Sequence, residues 1–324
     1  MGKIVQQAIY RFSRINSSAS FNMPPNPSPE PARERILITG ATGNVGLETL
    51  RALMKQPHDG RFTVLAGVRN PEKSSATIGV QPDGFVQLDF ADVTTFDAAL
   101  AGVGRVLLVR PPELADVDKY FKPFVAAMQR AGVQQVAFLS LQGVENNPVT
   151  PHHKIEKLIV EAGLPFTFLR PSFFMQNLST THRDEIRLRS EIYVPAGNGH
   201  TSFVDVVDIG EVAALTLTGG TTHLNKAYEL TGSEALTYGE VAEILTRVLG
   251  RTITYRDPSV LAFIWQKWQK EKLPLGFTMI MVALYTVAKL GKAAGLTDEM
   301  ERLLHRPPTT FRQFAEANKR VWMP

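Results

Sequence analysis

Residues 36–46 read I-L-I-T-G-A-T-G-N-V-G, a short apolar run followed by three glycines with two residues between each and the start of a helix-compatible segment. A turn of this kind, at the exit of a first strand and the entry of a first helix, lets the backbone approach a pyrophosphate and sets it against the positive end of a helix dipole. Each glycine has its own duty. Gly40 permits the tight turn, Gly43 lets the main chain touch phosphate, and Gly46 lets the helix pack close to the strand. Ala41, Thr42, Asn44 and Val45 complete the loop.

A glycine triplet takes its meaning from its context. Strands are expected at 35–39, 62–67, 85–88, 105–109, 135–139 and 165–170, with helices near 44–56, 71–77, 94–101, 116–131 and 151–162. Six strands separated by single helices predict an α/β fold, a Rossmann-type doubly wound parallel sheet whose crossovers cover both faces. After Arg170 the alternation loosens into turns, short strand candidates and helices near 206–217, 238–249 and 258–270, which predicts a smaller C-terminal α/β lobe. The expected organisation is an extension at 1–34, a nucleotide-binding domain at 35–170 and a substrate lobe at 171–324 that completes the sheet.

Five of the 21 prolines fall between Pro24 and Pro31, a composition suited to an extended tether. Ahead of it, residues 1–21 hold Lys3, Arg11 and Arg14, several serines and no acid, with Ile4, Val5, Ile9 and Phe12 in partly helical spacing. That reads as an organellar, mitochondrial presequence over residues 1–22, or else as a disordered extension or an upstream start ahead of Met23. In the latter cases the expected location is cytoplasmic.

The net charge of +4 is unevenly placed: +2 in residues 1–34, −3 in 35–255 and +5 in 256–324. A slightly acidic body with a dispersed C-terminal excess argues against a nucleic-acid partner. The absence of cysteine removes disulfides and thiolate chemistry, and no metal site is expected. The run at 277–290, FTMIMVALYTVAKL, is too short for a bilayer span of about 20 residues and contains Lys289. It reads as a buried helix, a dimer contact or a lid over an apolar substrate. His182-Arg-Asp-Glu-Ile-Arg reads as a solvated segment.

The second strand selects the coenzyme. It ends A-G-V-R-N with no acid at its tip, whereas Asp or Glu there would accept from the ribose hydroxyls of NAD. Arg69, with Lys73 one helical turn later, offers positive charge where a 2′-phosphate would sit, so NADP(H) is the preferred coenzyme and NAD(H) is left open. Asp89 and Phe90 follow the third strand, where Asp89 meets an adenine amino group and Phe90 lies along the ring, or Asp89 merely caps the helix near Thr94. Val109, Arg110 and Pro111 border the same crevice, with Arg110 turned to phosphate or substrate. Phe173, Phe174 and Met175 form either an aromatic wall for a planar ring or ordinary core.

The glycine pattern, the strand tip at Arg69, the segment H-H-K-I-E-K-L-I-V-E-A-G-L-P-F-T-F-L-R-P (152–171) and S-F-F-M-Q-N-L after it together resemble the NmrA-like branch of the atypical short-chain dehydrogenase/reductases. The resemblance runs from about Arg35 to Trp322 and is least distinctive over the last 70 residues. It implies coenzyme contacts from Gly40 to Val45, Arg69 to Lys73, Asp89, Phe90, Val109 to Pro111, His152, and Phe173 to Gln176. It also implies one of two functions, an NADPH-dependent reductase of quinones or a protein that binds the nucleotide without turnover and acts as a redox sensor.

The wider superfamily carries Ser and then Tyr-x-x-x-Lys. Ser140 is in place, but His152-x-x-x-Glu156 stands where the tyrosine motif belongs, and no tyrosine occurs between Tyr120 and Tyr193. Phenol-based carbonyl reduction and sugar epimerisation are therefore disfavoured. Thr150-Pro151 starts a helix with His152 at its second position, where a neutral imidazole is expected, oriented by Glu156 and serving as the candidate catalytic group. The expected reaction is hydride transfer to a small planar acceptor, with a homodimer or a regulatory protein partner left open.

Overall fold

The computed structural model describes residues 34–55 and 60–323. The presequence and tether readings lie outside the described residues. β1 (Glu34–Ile38) buries its last three side chains, as a strand in the middle of a sheet covered on both faces must. α1 (Asn44–Lys55) buries Val45, Gly46, Thr49, Leu50, Ala52 and Leu53, an apolar stripe at helical spacing. The alternation continues through β2 (Phe62–Val68), α2 (Pro71–Thr77), β3 (Gly84–Gln87), α3 (Phe96–Leu100), β4 (Val103–Val109), α4 (Val117–Arg130), β5 (Gln135–Leu139), α5 (Pro151–Glu161) and β6 (Phe166–Pro171).

Beyond β6 the elements shorten: β7 (Phe173–Phe174), α6 (Gln176–Ser179), β8 (Glu191–Tyr193), β9 (Thr201–Val204), α7 (Val206–Thr218) and β10 (Lys226–Leu230). Then come β11 (Ala235–Leu236), α8 (Tyr238–Leu249), β12 (Thr254–Arg256), α9 (Val260–Ile264), α10 (Leu275–Lys289), α11 (Glu299–Leu304), α12 (Phe311–Ala317) and α13 (Lys319–Trp322). The main sheet has seven strands in the order β10-β6-β5-β4-β1-β2-β3, all parallel. The seventh, β10, is supplied by the segment after residue 170. Its sequence K-A-Y-E-L lacks a full apolar run because it is an edge strand with Lys226 and Ala227 exposed.

One face of the sheet packs on α1 and α7, and the other on α3, α4 and α5. A third core holds the lobe together, with Phe203, Tyr238, Phe263, Phe311, Phe314 and Trp322 at its centre. No helix among the described residues is long and apolar enough to cross a membrane.

Two expectations for the lobe need correction. The segment at 182–187 is not wholly solvated: His182 and Glu185 are buried. His182 Nδ1 lies 2.8 Å from Glu185 Oε2, and its Nε2 lies 2.5 Å from the Tyr285 hydroxyl. Lys267, with 0% exposure, donates to Glu185 and to Glu271 at 2.9 Å. These partners stand up to 103 residues apart in the chain, so local charge density gives no sign of the pairing. The run at 277–290 is also only half buried. α10 turns Thr278, Met281, Tyr285 and Ala288 inward, while Met279, Ile280, Leu284 and Val287 face out.

Candidate functional site

The strand order reverses between β1 and β4, so the chain leaves their carboxyl ends in opposite directions and a crevice opens. Thr39 joins its two sides. The Thr39 amide donates to the Leu107 carbonyl at 3.0 Å, and its hydroxyl accepts from the Val109 amide at 2.8 Å. Gly40 then turns with φ of +59°, and a Cβ there would lie 3.1 Å from that of Val109. The Gly43 amide donates to the Gly40 carbonyl at 2.9 Å, so Gly43 contributes a missing side chain rather than its own N–H. Donors for an anion come instead from the opening turn of α1, whose first amides have no partner inside the helix. No acidic side chain in that turn competes for them.

Gly46 is the tightest point. A Cβ there would fall 2.2 Å from the Gly40 carbonyl oxygen, an overlap only glycine avoids. Ala41 and Val45 are buried beside it, while Thr42, Gly43 and Asn44 are exposed.

At the tip of β2, Arg69 is exposed. Asn70 accepts from the Lys73 amide at 2.9 Å and so caps α2, which carries the exposed Lys73 on its first turn. Beyond β3, Asp89 uses Oδ1 to accept from the Ala91 amide at 2.9 Å. Asp92, not Asp89, caps the next turn through the Thr94 amide at 3.0 Å, so the second oxygen of Asp89 keeps its capacity to accept. Phe90 departs from expectation. Its ring is 6% exposed, 5.1 Å from Phe121 and 5.2 Å from Phe124 edge-on, and thus belongs to the core rather than lying open to an adenine.

At the exit of β4, Val109 is half buried against Gly40, and Arg110 is folded back. One amino group of its guanidinium donates to the carbonyls of Pro111 at 2.9 Å, Pro112 at 3.1 Å and Leu114 at 3.1 Å. Its first task is to brace its own loop, not to meet phosphate. Its charge also acts on His152. Burial first and Arg110 second push the imidazole pKa down to about 3. The ring is therefore neutral across the ordinary pH range, for reasons beyond its helix position. It sits 6.1 Å from the ring of Phe138 on β5.

Glu156 does not orient His152. It holds Arg170 by two bonds, at 3.1 and 2.8 Å, because a bidentate guanidinium is the stronger partner for a buried carboxylate. Arg170 also reaches Glu145 at 3.1 Å and Glu229 at 3.7 Å. Burial and then repulsion from Glu145 raise the Glu229 pKa to about 7.

Ser140, directly after β5, is 4% exposed, and its hydroxyl has no hydrogen-bond partner among the described residues. A buried orphan hydroxyl costs about 1–3 kcal/mol, which a ligand group can recover. After β6, Phe173 and Phe174 fail to form a joint wall. Neighbours in an extended strand face opposite ways, so Phe173 joins the lobe core and Phe174 the sheet core. Gln176 is likewise committed. Its amide donates to Asp205 at 2.7 Å and its carbonyl oxygen accepts from the Val206 amide at 3.0 Å, which fastens the start of α7.

The model of the NmrA-like family matches residues 32–314. This chain belongs to that family. It is 32% identical over 293 residues to an NAD(P)H azoreductase of Xenophilus azovorans, covering 87% of this chain and 97% of the relative. Among solved structures, an NADPH-dependent quinone oxidoreductase of Escherichia coli complexed with NADPH superimposes with a TM-score of 0.78 at 27% identity, covering 88% of this chain and 99% of the other. A triphenylmethane reductase of Citrobacter, complexed with NADP(H), gives a TM-score of 0.75 at 25% identity over the same shares.

Two observations test whether a dinucleotide fits this family member: the exposed, side-chain-free backbone at Gly43 leading into the first turn of α1 and the orphaned hydroxyl of Ser140. Both accommodate one. Thr39 and the Arg110 brace carry no signal in the sequence, since their partners lie across the sheet or on a loop's own carbonyls.

Proposed function

We propose that the protein is an NADPH-dependent oxidoreductase that delivers hydride from the nicotinamide to a small planar acceptor such as a quinone. The observation that carries this reading is the β2 tip, where Arg69 and Lys73 stand exposed beside a glycine turn that leaves helix amides open. The amides at the start of α1 hold the diphosphate. Arg69 takes the 2′-phosphate through a charge-assisted pair, with Lys73 adding positive charge. NAD(H), lacking that phosphate, is the weaker fit. The free oxygen of Asp89 accepts from the adenine amino group, and Ser140 and His152 border the space past β4 and β5.

Nothing there acts as a phenol acid, and His152 offers a hydrogen bond from a neutral ring, not a proton from a charged one. An acceptor that takes its protons from water suits such a site, because the protein has only to align two flat rings. Azo, quinone and triphenylmethane compounds, named for the relatives above, are all conjugated systems of this kind.

The test is a titration of the purified protein with NADPH and NADH, followed by steady-state oxidation with a panel of quinones. Arg69→Ser should weaken NADPH binding about tenfold to a hundredfold, for a lost charged hydrogen bond of about 1.5–3 kcal/mol, and leave NADH unchanged. An unaltered coenzyme preference would overturn the assignment of Arg69. Tight binding with no turnover on any acceptor would instead make the protein a non-catalytic sensor of the NADP(H) pool.

A further inference from the structure

Eleven of the seventeen large apolar side chains exposed among the described residues lie between Val260 and Leu296. They belong to two segments of the lobe that pack on each other. Leu261 stands exposed on α9 and Trp265 and Trp268 on the π-helical turn that follows it, and Ile280, Leu284 and Val287 follow helical spacing along the outer side of α10. The two segments are packed together through Phe263 and Tyr285, ring centroids 5.7 Å apart. Leu261 is 80% exposed, Leu290 65% and Trp265 54%. An apolar surface of this extent marks a contact with something else.

Its charge decides with what. The stretch from Leu273 to Ala288 contains no charged residue. Lys270 and Lys272 stand exposed before it and Lys289 and Lys292 after it. Residues 257–298 hold five lysines against Asp257, Glu271 and Asp298; Glu271 is bound to the buried Lys267 and Asp257 lies 3.6 Å from Lys289, which leaves Lys270, Lys272 and Lys292 without a carboxylate among the described residues. Lys270 lies over the Trp265 ring at 5.0 Å. A second copy of this surface would bring lysines against lysines, while the nearby carboxylates of Asp257, Glu271 and Asp298 are each already paired within the chain.

We infer that the α9–α10 face docks peripherally on a bilayer containing anionic lipid, its apolar side chains entering the acyl boundary and its flanking lysines meeting the headgroups. An apolar stripe bordered by lysines, with two tryptophans at the edge, has the pattern of a helix that lies in the membrane interface rather than across it. The loop that follows α10 runs back to the carboxyl edge of the main sheet. The chain leaving α10 hydrogen-bonds through the Ala293 carbonyl to the Ser202 amide at 2.7 Å. Two residues on, the Gly295 carbonyl accepts from Gln142, just past β5, at 3.3 Å. This inference does not depend on the identity of the acceptor or on turnover.

The experiment is flotation of the full chain with phosphatidylcholine vesicles, with and without added phosphatidylglycerol, at low and high salt. Tryptophan emission is read in parallel, since Trp265 and Trp268 are exposed while Trp322 is fully buried. The chain should float with the anionic vesicles, at least tenfold less with the neutral ones, and its emission should shift to the blue. Ile280→Ser combined with Leu284→Ser should abolish flotation, and Lys270→Glu with Lys292→Glu should remove the preference for anionic lipid. Unchanged NADPH binding by these variants shows that they are folded. Two results would overturn the inference: no flotation under any condition, or a dimer in sedimentation that Ile280→Ser/Leu284→Ser converts to monomer.

Discussion

The nucleotide edge of the sheet and the interior of the lobe treat charged groups in opposite ways. At the edge charged and polar groups are left open: Arg69 and Lys73 stand in solvent, the first turn of α1 presents amides with no acid to meet them, and the Ser140 hydroxyl is buried without a partner. In the lobe a buried charged cluster is closed on itself, although the Thr201 hydroxyl there is, like that of Ser140, a buried orphan. Glu185 is met by His182 and Lys267, and His182 passes on to Tyr285. An open polar group lowers stability and is useful only if a ligand completes it, whereas a closed network serves the fold. Chemistry is therefore expected at the edge and tolerance of a ligand's absence in the lobe.

The largest effect should come from the closed network. Lys267→Met removes the ammonium from a buried carboxylate and should cost about 3–5 kcal/mol in urea denaturation. Adding Glu185→Leu should recover part of it, because the apolar pair has no charge to desolvate but leaves the buried His182 Nδ1 without its carboxylate partner. A loss below about 1 kcal/mol for the single change would show that the lobe's charges are solvated after all.

Next comes the edge. Gly46→Ala places a methyl against the Gly40 carbonyl and should weaken NADPH at least about a hundredfold, about 2.7 kcal/mol, measured by fluorescence titration. Retained affinity would mean that α1 yields to admit the methyl group.

Between the two regions lies Glu229, whose pKa is raised to about 7 by burial and by Glu145. A carboxyl with a raised folded-state pKa is most favourable to the fold below its unfolded value near 4.5, and that advantage fades as pH rises through about 7. Stability should fall from pH 5 to pH 8 by an amount of order 1 kcal/mol after solvent screening. Glu229→Gln should flatten the slope, and an identical slope in the variant would exonerate Glu229.

The smallest effect is the sharpest discriminator. Ser140→Ala should not lower the stability of the unliganded protein and should raise it if anything, since no protein bond is lost and an unpartnered buried hydroxyl is removed, while lowering NADPH affinity about threefold to tenfold for one missing hydrogen bond. A stability loss without an affinity loss would move Ser140 from the open group to the closed one.

Much of the edge is legible in the order of residues alone. The strand, the spaced glycines and the helix all lie within residues 36–55, and local order fixes what local segments can do. Arg69 is legible for the same reason, as the residue that follows a strong apolar run. Less legible are residues whose role depends on what lies across the fold. Phe90 is carried into the core by Phe121 and Phe124 on α4, Arg110 turns to its own loop, and Glu156 prefers Arg170 to the histidine one turn away. Phe173 and Phe174 are adjacent in sequence and divided in space by the pleat.

By itself, then, the sequence determined the alternation, the glycine turn and the carboxylate-free β2 tip, because periodicity and turn chemistry act over a few residues. Only the tertiary structure decided which segment of the lobe completes the sheet, β10, that His182 and Lys267 are buried together, and that α10 keeps an apolar side outward. The physical reason is common to all three. Burial and pairing are properties of surfaces brought together from distant parts of the chain, and a side chain's own neighbours in sequence carry no record of which surface it will meet.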